Sequence, residues 1–76
     1  MMYVVANNRA AVEAYARSRG VDDASSVVQV TSIQSLVGKI GVTVHVVIGH
    51  IDAEIETMLY IIGVRKLANV VYDKLT

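Results

Sequence analysis

Short, nearly continuous apolar runs alternate along this chain with longer segments whose apolar residues recur every three or four positions. The first period predicts strands and the second predicts helices. Tyr3 to Ala6 read as a short strand, and Val12, Tyr15, Ala16 and Arg19 then repeat at helical spacing within Arg9 to Arg19, with the Arg19 stem laid over the edge of that face. Gly20 follows where a helix end favours a residue free to take positive φ. A polar loop holding Asp22, Asp23, Ser25 and Ser26 leads to a second short strand, Val27 to Val30. "TSIQSLVGKIG" reads as a short helical crossover closed by Gly38 and Gly41.

The clearest strand is "VTVHVVI", Val42 to Ile48, whose nearly continuous β-branched character suits a central parallel strand covered on both faces. In "DAEIETMLYII", Ile55, Met58, Leu59 and Ile62 fall on one helical stripe, and Asp52, Glu54 and Glu56 place negative charge at its start, where the helix dipole favours it. The tail fits either a helix through Val64, Leu67, Ala68, Val71 and Leu75 or a fourth strand in "LANVVYD" after a Gly-terminated helix. The preceding β-then-α order favours the strand. The expectation is a single α/β domain over residues 1–76: a minimal Rossmann-like open parallel sheet of three or four short strands, with helices packed on its two faces by right-handed crossovers.

Composition changes this picture in one respect. A chain of 76 residues has proportionally more surface than a large domain, yet 54% of it is apolar before its 5 glycines are counted. Average usage is roughly 45–50% with glycine included. The excess points to apolar surface closed against another chain, hence a homo-oligomer or an obligate protein partner. Formal net charge is zero and the basic residues are scattered; Arg17 and Arg19 stand about 200° apart on a helix, so no basic stripe for nucleic acid forms. No stretch has the length and apolarity of a membrane span and the N-terminus lacks the order of a signal peptide, so the chain reads as cytoplasmic.

In open parallel sheets ligands gather outside the carboxyl ends of the strands. That edge collects Asn7, Asn8 and Arg9 after the first strand, Thr31 and Ser32 after the second, and His50 and Asp52 after the third. Amides and a forked cation beside helix N–H groups suit a phosphate or carboxylate. Helix capping accounts for the same residue types without a ligand. His45, on the same strand face as Thr43 and Val47, reads as a histidine packed under a helix with its nitrogens satisfied.

Several catalytic signatures are missing. "VGKIG" lacks the glycine spacing and the Ser or Thr of a phosphate-binding loop, "ANNRAA" replaces a dinucleotide-binding glycine turn, and no nucleophile elbow occurs. With no Cys and one loop His, neither a metal site nor a cofactor is expected.

"YVVANNRAAVEAYARSRG", followed by a short strand and then "GVTVHVVIG", resembles small uncharacterised Rossmann-like proteins encoded by actinobacterial phages. The resemblance implies a small accessory protein made during infection and carries over no catalytic residues. The resulting expectation is a self-associating interaction protein that binds a host or phage protein and is not an enzyme. Its candidate surface is Tyr60 and Ile61 with Leu67, Val70, Val71, Tyr72 and Leu75. The alternative is a binder of a small anionic ligand, a nucleotide or sugar phosphate, at the strand-end residues above.

Overall fold

The computed structural model describes residues 1–75 and builds them into one parallel sheet with two α-helices. The elements are β1 (Met2–Val5), α1 (Arg9–Ser18), β2 (Val27–Gln29), β3 (Thr43–Val47), α2 (Ala53–Arg65) and β4 (Asn69–Asp73), with 3-10 turns at Ala24–Ser26 and Ile33–Leu36. Strand order is β2-β1-β3-β4, every pair parallel. The chain winds from β1 out to one edge, returns past β1 to β3, and winds out to the other edge. This is the expected minimal Rossmann-like α/β architecture, including the fourth strand in the tail.

Side-chain alternation along the strands divides the core between two faces. Ala11, Val12, Tyr15 and Ala16 of α1 pack with Val4, Ala6, Val27 and Val47. Met58, Leu59 and Ile62 of α2 pack with Val5, Val44 and Val46 on the opposite face, where Leu36 of the 3-10 turn joins them. The strongest strand signal in the sequence became the strand between β1 and β4, with Val44, Val46 and Val47 fully buried.

Both helices stop by the same device. Past α1, Gly20 takes a positive φ of 85°, its N–H bonds the Arg17 carbonyl, and Val21 N–H bonds the Ala16 carbonyl at 2.9 Å while its side chain packs on the α1-side core. α2 was expected to end at Gly63 but continues to Arg65, and Lys66 takes the left-handed position at φ 54°. Leu67 N–H bonds the Ile62 carbonyl at 3.0 Å and both side chains enter the same core cluster. That contact carries the helix past Gly63, whose own helix penalty is only about 1 kcal/mol.

Candidate functional site

β1 and β3 are neighbours whose chains leave towards opposite faces, so the crevice beyond their carboxyl ends is the topological switch point. The two departing loops are tied together there, Asn7 N–H donating to the His50 carbonyl at 2.6 Å. Beside this tie lies an open pocket of about 200 Å³ between the ends of β1 and β2 and the first turn of α2. Asn7, Gln29, Thr31, Asp52 and Glu54 supply its polar lining, and Ala6, Ile55 and Met58 supply the apolar part. It is smaller than the roughly 300–1,000 Å³ of most small-molecule sites.

Of the seven strand-end residues, Asn7, Thr31 and Asp52 meet at this pocket. Asn8 caps α1, its Oδ1 accepting from Ala11 N–H at 2.8 Å while its amide donates to Asn7 Oδ1. Asp52 caps α2 by accepting from Ile55 N–H at 2.9 Å. Ser32 begins the second 3-10 turn without a side-chain cap bond, and His50 is half-buried at the β3 loop.

Arg9 does not join them. Its Nε pairs with Glu13 at 2.9 Å and its terminal nitrogens reach the carbonyls of Ala24 and Val27, so its charge ties α1 to the start of β2. The charged side chains lining the pocket are Asp52 and Glu54, both acidic. Gln29 donates one amide N–H to the Ala6 carbonyl at 3.3 Å, which leaves its second N–H to donate and its oxygen to accept. Since the charged groups of the lining are both carboxylates, it favours a cationic ligand over a phosphate.

A second polar cluster joins α1, β3 and β4. Tyr15 O–H donates to Asp73 Oδ2 at 2.9 Å, and its oxygen lies 3.3 Å from His45 Nδ1. Since the single phenolic proton goes to the carboxylate, the oxygen accepts from His45 Nδ1–H. Arg19 closes the cluster on the outside, its guanidinium 2.6 Å and 3.2 Å from the same Asp73 oxygen and 4.6 Å above the Tyr15 ring. Hydrogen bonds from Arg19 and then from Tyr15 hold the Asp73 carboxyl down at about 2, whereas burial and then the Asp73 carboxylate push the Tyr15 phenol up.

Tyr15 and Arg19 one helical turn apart and His45 on the Thr43 and Val47 face of its strand, under a helix, were readable from the sequence. Their meeting with Asp73 was not, because that requires β4 to lie beside β3. The cluster fastens the last strand to the first helix.

The proposed contact residues divide. Tyr60, Tyr72 and Val71 are exposed at 72%, 58% and 44%, and Ile61 is half-buried. Leu67 and Val70 pack partly on the α2-side core and Leu75 on the α1-side core, so these three are engaged within the chain. The alternation of β4 turns Val70 towards the α2-side core, Leu67 enters that core from the end of α2, and Leu75 packs on the other face just past the strand.

Among the described residues no group of three or more His, Cys, Asp or Glu side chains is placed to hold a metal ion, and no helix is long and apolar enough to cross a membrane. No protein-family model, curated protein or solved structure matches the chain.

Proposed function

We propose that this chain is a small self-associating interaction protein, an accessory factor of the phage type its sequence resembles, which acts in the cytoplasm by binding a host or phage protein and not by catalysis. One observation carries this reading: β4 is an edge strand with a free side, and it exposes Val71 on one sheet face and Tyr72 on the other. Unprotected apolar edges are templates for another chain, and soluble proteins ordinarily blunt them with charge, proline or a bulge. Here the residues at the middle of the edge are Val70, Val71 and Tyr72. Tyr60 and Val64 add exposed apolar surface on α2.

Sedimentation velocity from micromolar to millimolar concentration tests the reading. A concentration-dependent oligomer supports self-association, and a monomer across the whole range sinks it. Binding of a protein partner is tested separately, by retrieving partners from infected-cell extract and asking whether Y72K loses them.

A second reading, a small-ligand site, is favoured by the convergence of Asn7, Thr31 and Asp52 on one pocket at the switch point. The acidic lining directs it towards ligands bearing hydrogen-bond donors or positive charge. Amide NMR titration with glucosamine against glucose 6-phosphate separates that from the anionic alternative.

A further inference from the structure

The edge of β4 is complementary to itself, and the backbone shows how. Asn69 N–H bonds the Val42 carbonyl and the Asp73 carbonyl accepts from Ile48 N–H, so Asn69 and Asp73 direct their main-chain groups towards β3. Successive residues of a strand alternate, so Val71 faces β3 as well, while the N–H and C=O groups of Val70 and Tyr72 point out from the free edge. These outward donors and acceptors are the ones left for a further strand to satisfy.

We propose that β4 pairs antiparallel with β4 of a second copy about a two-fold axis at Val71, giving one sheet that runs through both copies. The proposal rests on the self-association reading above and specifies its geometry. With Val71 opposite Val71, Val70 falls opposite Tyr72 of the second copy, and each such pair exchanges both N–H···O bonds as a hydrogen-bonded antiparallel pair does. The outward main-chain groups of Val70 and Tyr72 are thereby satisfied.

The side chains agree with this register. "NVVYD", residues 69 to 73, is chemically near-palindromic about its central Val71. Val70 against Tyr72 is an aromatic and β-branched cross-strand pair, and Asn69 against Asp73 places an amide donor opposite a carboxylate. Ala68 falls opposite Lys74, so no like charges face each other. Asp73 Oδ2 is taken by Tyr15 and Arg19 and Oδ1 by Lys74 N–H, which holds the carboxylate in place with a lone pair of Oδ1 still free for Asn69. A two-fold interface requires a surface complementary to itself, and the main-chain directions and side-chain types of this strand meet that requirement.

The chain has no Cys, so single-cysteine variants report the register directly. At the centre of the pairing, in a non-hydrogen-bonded pair, Cα atoms lie about 4.5 Å apart, within the range a disulfide spans. V71C is therefore expected to cross-link efficiently under mild oxidation. Y72C falls two residues out of register with its own copy, beyond the about 7 Å limit, and is expected to cross-link poorly. V71D, with circular dichroism confirming its fold, is expected to raise the dimer dissociation constant at least about tenfold by setting two carboxylates face to face. An oligomer in which V71C fails to cross-link, or in which Y72C cross-links faster, overturns this geometry and leaves self-association standing. A wild-type monomer at every concentration overturns both.

Discussion

Helix α2 is apolar around most of its circumference, and the structure commits it to one face. Ile62 is fully buried against β3, whereas Val64, two residues on, is 63% exposed. I62A removes three carbons from a closed site. At about 0.8 kcal/mol for each buried methylene the transfer loss is roughly 2.4 kcal/mol. The cavity left behind raises the cost to about 2.5–4 kcal/mol, inside the usual range for Ile to Ala in a core. At roughly 0.05–0.15 kcal/mol per residue, a 76-residue domain holds about 4–11 kcal/mol in all, so this one change removes a large share. V64A is expected to stay within about 0.5 kcal/mol of wild type. Urea unfolding followed by far-ultraviolet circular dichroism at low protein concentration measures both. A loss from V64A equal to that from I62A would refute the assigned helix orientation. Repetition at high concentration shows whether a second copy covers the outer face, because a loss of that origin grows with concentration.

Four further outcomes are expected. The Asp73 carboxyl sits at about 2, below its ordinary 3.8, so the stabilisation it brings is present above pH 3.8 and is lost as pH falls through about 2; D73N should flatten that part of an acid-unfolding curve. D52A should cost about 1 kcal/mol through the lost α2 cap, while D52N, which still caps, should cost little; only a true pocket ligand would be released by both, read by NMR titration. K66G should stabilise by roughly 0.5–1 kcal/mol in chemical unfolding, since left-handed backbone strain at Lys66 exceeds the entropy glycine adds to the unfolded chain. I40S, on a residue 97% exposed in the loop before β3, should change neither stability nor sedimentation.

Much of the fold was legible because the elements differ in period. The nearly continuous Val42–Ile48 run led to β3 between two other strands, and Asn8 and Asp52 cap α1 and α2 as their residue types suggest. The end of α2 was harder to read: a glycine inside a helix and a lysine in the left-handed position both go against local propensity, and the Leu67 contact with Ile62 that overrides it is tertiary. The strand-end site was half legible for a similar reason. Topology alone brings Asn7, Thr31 and Asp52 to one edge, but nothing in "NNR" indicates that Arg9 turns to the carbonyls of Ala24 and Val27.

The apolar excess of the composition resolves unevenly over the surface, and the unevenness separates apolar residues that stand alone from those on an ordered edge. Ile40 is the most exposed large apolar residue, but it stands on a loop between Gly38 and Gly41 and brings no ordered main-chain edge with it. Ile48 and Val37 are likewise exposed singly at element ends, as apolar residues often are in soluble proteins. Val71 and Tyr72 are less exposed than Ile40, yet they sit on an edge strand whose outward N–H and C=O groups have no partner among the described residues. Apolar burial supplies affinity without direction, while the open ladder supplies register. The Asp73 cluster with Tyr15, Arg19 and His45 fastens that same strand to α1, so the edge is held in its extended form within the single chain. An edge held in this way would lose less entropy on the proposed pairing than a mobile tail, which is the physical reason for proposing the pairing at β4 and not at the loop apolar residues.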